Sequence, residues 1–460
     1  MGSNFFTKRS LIHAPVEEVF KWHSRPGAIE RLSPPWDPLK VILRSGGIEK
    51  GAEVFLEMKA GPFPFTWHAL HTDFQENIFF RDQQLRGPFS KWIHTHRFLP
   101  DQNNGCILED EIEYRLPVHF FSGFLLEPMI RKKLERIFRY RHRITRQDLA
   151  LHLSEKAADP MTILISGASG VIGSALVPFL TTGGHRVVRL VRRQPDQSGD
   201  EIFWNPDSKE LCLDSIGNID AAIHLAGDHI GSGRWTNQKK NMIIQSRIRG
   251  TTLIAEKLAA LDKPPKVVIC ASAIGYYGDR GNKILDESHG PGNDFISMVC
   301  DQWEQSARLL PDKGIRTSFL RIGVVLTPLG GALQRLLLPY KFGFGGRIGS
   351  GSQYISWVGM EDVLGSIHHI LFHDSVSGPV NVVSPNPVTN KTLTKTLGAI
   401  LSRPTLFPIP SRVIQFAFGE MGKEILLSST RVMPEKLLQT GYQFKNPVLD
   451  EALKQMLGKS

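Results

Sequence analysis

MTILISGASGVIGSALVPFL, residues 161–180, changes character at a glycine. Thr162–Ile165 is an apolar, β-branched run suited to a strand covered on both faces. Gly167, Gly170 and Gly173 follow at three-residue spacing, and small and apolar residues then continue as a helix. The three glycines serve different ends. Gly167 permits a tight turn, Gly170 lets a pyrophosphate approach the backbone, and Gly173 lets helix and strand pack closely. The helix N-terminus would present amide N–H groups and its dipole to phosphate. A second strand, HRVVRLVRR (185–193), follows at a suitable distance, so the pattern predicts dinucleotide binding. A nucleotide fold that has lost its ligand is the alternative.

The end of that second strand bears on which cofactor fits. An Asp or Glu there would accept from ribose hydroxyls and repel a 2′-phosphate, whereas this chain has Arg192 and Arg193, with Arg189 inside the strand. The expectation is therefore NADP(H), against the reading that these arginines are merely solvated. Further strands are expected at DAAIHLAG (220–227), KVVICASAIGYYG (266–278) and IRTSFLRIGVV (315–325), separated by helical stretches. Strand–helix alternation argues a doubly wound parallel sheet.

Upstream the pattern differs. After the strand FTKRSLIHA and a short helix opened by Pro15, extended runs are expected near 39–45, 53–59, 64–73, 77–85, 90–98 and 105–115. Trp92, His94, His96 and Phe98 alternate with Lys91, Thr95 and Arg97, while Glu109, Glu111 and Glu113 face away from Ile112 and Tyr114. A long helix, roughly 118–149, closes this part. No titratable cluster stands out in it. The polar, Ala-rich HLSEKAADP (152–160) reads as a linker.

At 460 residues the chain is long for one core. Its 41% hydrophobic and 22% charged residues are ordinary for a globular protein. No secretory pattern or long uncharged apolar run is evident, and Cys106, Cys212, Cys270 and Cys300 are scattered, so a cytoplasmic protein with reduced thiols is expected. The net charge of +10 is mostly local. RKKLERIFRYRHRITR (131–146) holds eight Lys/Arg against one Glu, on a helix whose apolar positions are Ile130, Leu134, Ile137 and Phe138. It reads as the solvated face of a packed helix, with peripheral contact to anionic lipid as the alternative and no nucleic-acid partner expected.

The element order of residues 1–151, with F-x-x-x-x-x-I-x-A-P-V-E-E-V-F, resembles the helix-grip fold of START-like and polyketide-cyclase-like proteins. That resemblance implies an α+β domain with an apolar cavity, for which Phe55, Phe65, Trp67, Phe80, Trp92, Phe98, Tyr114 and Phe124 are lining candidates or plain core. From 161 onward the glycine loop, IHLAG, SRIRGTTLI (246–254), ASAIGYYG and LRIGVVL together resemble the extended short-chain dehydrogenase/reductase family. The match is closer to its nucleoside-diphosphate-sugar-epimerase-like subgroup, through GRWTNQKK (233–240), GFGGRIGSGSQYISWVGMEDV (343–363) and a C-terminal domain of unknown function. The implied fold is a Rossmann-type α/β domain (161–395) with a substrate cap (396–460). The resemblance implies that Ser169, Gly170, Val171 and Ile172 lie along the pyrophosphate. It implies that Leu225, Ala226 and Gly227 line the adenine–ribose side and that Ser272 is near the nicotinamide. Arg234, Trp235 and Arg347 fall at the substrate side, and a homodimer would be ordinary.

One departure bears on activity. Members of this family use a Tyr-x-x-x-Lys pair on one helix face, the phenol moving a proton and the ammonium lowering its pKa. Here GNDFISMVC (292–300) offers Phe295 and Val299 in those places. Ser272 remains, with Tyr276, Tyr277, Asp301 or Glu304 as substitute acids. Asp301 and Glu304, three apart, read as one solvated helix face. The expectation is an NADP-dependent oxidoreductase or epimerase-like enzyme, fused to a hydrophobic-ligand domain. A non-catalytic sensor of NADP(H) and an apolar ligand is the alternative.

Overall fold

A computed structural model describes residues 3–61, 63–117, 123–154, 159–196, 199–231 and 233–459. The chain divides into two compact units, one reaching to Asp159 and including Val177–His185, the other Pro160–Leu176 with Arg186–Lys459.

The first unit carries β1 (Asn4–Ile12), α1 (Val16–Ser24), α2 (Ala28–Arg31), β2 (Lys40–Ser45), β3 (Glu53–Ala60), β4 (Phe63–Gln75), β5 (Phe79–Arg86), β6 (Lys91–Pro100), β7 (Cys106–Arg115) and α3 (Gly123–His152). The seven strands form one antiparallel sheet in the order β1-β7-β6-β5-β4-β3-β2. The expected strands are all present; the expected helix start at 118–122 and part of the linker, 155–158, lie outside the described residues. Alternation gives the sheet two unlike faces. On one, Arg97 pairs with Glu109 (2.9 Å) and Glu111 (3.1 Å), and Lys91 with Glu113 (2.5 Å). On the other, Phe6, Trp67, Trp92, Ile112 and Tyr114 bury against Leu134 and Phe138 of α3. Each such side chain contributes about 1.5–3 kcal/mol by leaving water.

Of the expected cavity-lining aromatics, Trp67, Phe80, Trp92, Phe98 and Tyr114 are core residues, and Phe55 stacks on His68 at 3.9 Å. Phe65 packs partly buried against the same core; the side chain of Phe124 lies outside the described residues. The basic stretch 131–146 is less free than its charge suggests. Arg136 and Arg143 lie over Trp36 and Tyr140, Lys133 pairs with Asp37, and Arg131, Lys132, Lys133, Arg139 and Arg146 are exposed.

The second unit begins with β8 (Thr162–Ser166) and the start of α4 (Gly173–Thr182), whose residues from Val177 onward fall in the first unit. It continues through β9 (Arg186–Val191), β10 (Glu201–Asn205), β11 (Glu210–Leu211), β12 (Ala221–His224), α5 (Asn237–Ala259), β13 (Val267–Ala273) and α6 (Phe295–Gln305). Its eight-stranded sheet runs β11-β10-β9-β8-β12-β13, then Arg316–Ile322 and Gly378–Val382, parallel except at β11. The chain leaves β8 toward β9 and returns on its other side as β12. That reversal opens a crevice at the carboxyl ends of β8 and β12, where ligands bind in such sheets. Leu164, Val188, Ala222 and Val268 of the sheet pack with Leu253, Ile254 and Leu258 of α5. A separate cluster joins Leu333, Leu337, Trp357, Leu393, Leu397 and Leu453 toward the C-terminus. Among the described residues no helix is long and apolar enough to cross a membrane.

Candidate active site

At the crevice, Gly167 has φ +74°, and a Cβ there would stand 2.8 Å from Ala226 N and Leu225 C. A Cβ on Gly173 would overlap Gly167 O and sit 2.7 Å from Ala168 Cα. Gly170 differs. It is exposed, and a Cβ there would meet only Gly167 O, at 3.2 Å. Two glycines thus serve the protein's own packing, and the third keeps an open floor beside exposed Ser169 and Val171 at the start of α4. An open floor at a helix N-terminus fits a pyrophosphate. Half-buried Ile172 accepts from Leu176 N in the first turn. Leu225 and Ala226 flank the loop, and Arg247 packs over Gly227 while donating to Asp228 O at 3.1 Å.

The arginines after β9 divide. Arg193 donates to the buried Glu201 carboxylate at 2.7 Å, and Arg189 approaches the same oxygen at 3.2 Å. Arg192 is exposed and makes no ion pair among the described residues. Beneath the crevice, Ser166 Oγ and His224 Nδ1 are 2.5 Å apart and His224 Nε2 lies 3.0 Å from Thr251 Oγ1. Burial, aided by Arg247, lowers the His224 pKa to about 4, so it is a neutral core imidazole.

Ser272, near the end of β13, donates to Glu304 Oε1 at 2.7 Å. Arg321 grips that carboxylate with both ends of its fork, Nε to Oε1 at 2.9 Å and Nη2 to Oε2 at 2.8 Å. Its remaining arm donates to Tyr277 Oη at 3.0 Å, and that phenol donates to Asn381 Oδ1 at 2.8 Å. The guanidinium also lies 3.5 Å from the centre of the Tyr276 ring. Burial works against the charge of Arg321, but the bonds and charge of Glu304 outweigh it and hold the pKa above its ordinary value. Tyr277 is fully buried, and burial pushes its phenol to about 12 despite Arg321. Tyr276 is half-buried; its phenol is raised by burial and pulled back by Arg321.

Phe295 opens α6, with Asp294 as N-cap accepting from Ser297 N at 2.9 Å. Phe295 packs on Trp235 at 5.1 Å, and Val299 is buried in the same apolar cluster. The two positions that would carry Tyr and Lys are a hydrophobic plug. Glu304, expected on a solvated face, instead has its side chain 11% exposed and bound to Ser272 and Arg321. Asp301 stays outside, accepting from Gln305. Arg234 donates to Ala417 O and Phe416 O, and Arg347 to Ser350 O at 3.0 Å, so both serve loop geometry. Arg321 was missed in the sequence; a lone arginine inside the apolar strand SFLRI was the signal.

The first unit holds a second cluster that contradicts the expectation of none. Asp82, His94, His96, Asp110 and His142 converge on the inner face of the sheet. Alternation puts His94 and His96 on one face, but their carboxylates come from β5 and β7, which only register reveals.

A phosphate-ready glycine loop at a topological switch point, with Ser and Tyr side chains at the end of the next strand, defines a Rossmann-type dinucleotide-binding protein of the short-chain dehydrogenase/reductase kind. The chain belongs to the NAD dependent epimerase/dehydratase family, whose model matches residues 163–295. Residues 12–139 match the polyketide cyclase / dehydrase and lipid transport family, and 409–456 a domain of unknown function. An epimerase family protein of Mycobacterium bovis is 38% identical over 291 residues, 63% of this chain and 96% of that one. The structure is similar to a nucleoside-diphosphate sugar epimerase from Corynebacterium glutamicum, with 30% identity and TM-score 0.80, covering 99% of this chain and 90% of that one. The human epimerase family protein SDR39U1, solved with NADPH, is 34% identical with TM-score 0.61, covering 65% of this chain and all of that one.

Proposed function

We propose that the chain is an NADP(H)-dependent oxidoreductase or epimerase-like enzyme in which Tyr276 replaces the helix-borne tyrosine as proton donor to the substrate oxygen. The observation that carries this is Arg321, 3.5 Å from the Tyr276 ring and locked by the same carboxylate that holds Ser272. A Ser, a phenol and a fixed cation are thus assembled without Tyr-x-x-x-Lys. The bound nicotinamide would supply or accept hydride. Burial keeps the Tyr276 phenol protonated at neutral pH, so it can donate; the nearby guanidinium stabilises the phenolate left behind. Ser272 donates its hydrogen bond to Glu304 and presents its oxygen as an acceptor for a substrate hydroxyl. Tyr277 positions Arg321, and Trp235 with Phe295 forms an apolar wall.

In this reading Gly167, Ser169, Gly170, Val171, Ile172 and Gly173 hold the pyrophosphate, and Leu225, Ala226 and Gly227 line the adenosine side. Arg192 meets the 2′-phosphate, while Arg193 braces Glu201. Residues 1–151 form an apolar-ligand domain, 152–160 a linker, 161–395 the catalytic domain and 396–460 the cap, in a cytoplasmic protein. Mass spectrometry of small molecules released from denatured, freshly purified protein tests this. NADP(H) together with an apolar carbonyl or alcohol that the enzyme turns over supports it; NAD(H) would contradict the cofactor assignment. NADP(H) with no turnover across a broad carbonyl panel would favour the sensor, for which the apolar pair of partly buried Phe295 and buried Val299 is the supporting observation.

A further inference from the structure

We propose that Asp82, His94 and His96 in the first unit form a mononuclear site for a divalent transition metal, with Asp110 as the carboxylate that orients the His94 ligand. The sheet builds it through register. Asp82 of β5 stands opposite His94 of β6, and His96, two residues on, stands opposite Asp110 of β7. All four therefore face one way. One donor atom from each of Asp82, His94 and His96 lies within 4.8 Å of the other two.

The distances favour a metal over a hydrogen-bonded cluster. His94 Nδ1 is 3.4 Å from Asp82 Oδ2, and His96 Nε2 is 3.9 Å from the same oxygen. Both are long for a charge-assisted hydrogen bond of about 2.7–2.9 Å. The first matches the edge, about 3.3–3.4 Å, of a tetrahedron built from bonds of about 2.0–2.1 Å; the second is about 0.5 Å longer, so the His96 ring would close by that much on a bound ion. A cation between them would bind His94 Nδ1, His96 Nε2 and the shared Asp82 oxygen together.

The opposite edge of His94 is already tied. Its Nε2 lies 2.8 Å from Asp110 Oδ1, which fixes Nε2–H and leaves the Nδ1 lone pair facing Asp82. His142 Nε2, from α3, takes the other Asp110 oxygen at 2.5 Å. This carboxylate–imidazole arrangement behind a ligand is the usual support of a metal-bound histidine. The cluster is also under-satisfied by protein atoms alone. His96 Nδ1 stands 2.6 Å from Asp110 Oδ1 but off the line of its N–H, and neither it nor His142 Nδ1 has an aligned hydrogen-bond partner. His94 and His96 are 5% and 7% exposed, and Asp82 keeps 16% of its side-chain surface on the solvent side.

Two imidazole nitrogens and one carboxylate oxygen suit Zn²⁺, Co²⁺ or Fe²⁺; Ca²⁺ and Mg²⁺ prefer oxygen alone, and Cu(I) prefers sulfur. Three protein ligands leave a position open for water or an anionic ligand.

The test uses full-length, tag-free protein stripped by chelator and titrated with Co²⁺, reading visible d–d absorption and bound metal by elemental mass spectrometry. The background is Cys212→Ser, to remove the exposed thiol. One equivalent of Co²⁺, displaceable by Zn²⁺, is expected. Asp82→Asn and His96→Gln should abolish the band, and Asp110→Asn should weaken binding roughly 10–100-fold. Near-UV circular dichroism identifies variants that keep their packing, and only those are scored. Absence of a stoichiometric Co²⁺ band, or a band unchanged in folded Asp82→Asn and His96→Gln, would overturn the assignment.

Discussion

Glu304→Gln is the most informative single change in the second unit. The Glu304 carboxylate is the counter-ion of Arg321, whose side chain is 4% exposed, and it accepts three hydrogen bonds of 2.7–2.9 Å. Gln keeps the shape and one acceptor. It removes the charge, however, and turns an amide N–H₂ toward a guanidinium arm, donor against donor. Charges about 4 Å apart interact by about 4 kcal/mol at an effective dielectric near 20. Breaking a buried pair by deleting one partner typically costs about 3–5 kcal/mol, because the other charge is stranded. We expect a loss in that range, read as a lower urea midpoint of the transition that releases bound NADPH fluorescence. The paired change Glu304→Leu with Arg321→Met strands neither charge and should cost far less than Glu304→Gln alone. A Glu304→Gln cost below about 1 kcal/mol, or a double variant worse than the single one, would refute the buried-pair reasoning.

Arg192→Ala should weaken NADPH roughly 10- to 150-fold, the range for losing a charge-assisted contact of about 1.5–3 kcal/mol, and leave NADH nearly unchanged; equal losses in paired titrations would sink the 2′-phosphate assignment. Gly170→Ala should keep the fold and lose cofactor affinity, since its Cβ meets only one protein atom, at 3.2 Å, whereas Gly173→Ala should lower thermal stability as well; the reverse order in calorimetry would contradict the loop's division of labour. A maleimide should label one thiol in the native protein, Cys212, because Cys106, Cys270 and Cys300 are buried with pKa values pushed up to about 12 by that burial. Labelling of any of the other three under native conditions would indicate opening of their cores.

The glycine loop was legible because each glycine answers a local steric demand, and local demands are written in sequence. Glu304 was misread because helical spacing fixes an angle and not the position of the solvent boundary. Asp301 and Glu304 are about 60° apart around the axis, and the boundary falls between them. Nothing nearby in sequence announces that Glu304 meets Arg321, seventeen residues away on a buried strand. The Asp82–His94–His96 cluster escaped for a similar reason: period-two alternation brought the histidines together, but their carboxylates lie on neighbouring strands and depend on register.

On the proposed reading, Tyr276 donates the proton under the charge of Arg321. The direct measurement is the pH profile of NADPH consumption, with any carbonyl substrate recovered from the protein, in the parent and in Tyr276→Phe. We expect Tyr276→Phe to keep NADPH affinity and lose activity about 10²–10⁴-fold, the usual contribution of a positioned acid. Because burial raises the phenol above its ordinary value, the parent rate should hold through neutral pH and fall only above pH about 10, as the protonated donor is lost. Turnover by Tyr276→Phe at the parent rate, with the same alkaline limb, would contradict the account.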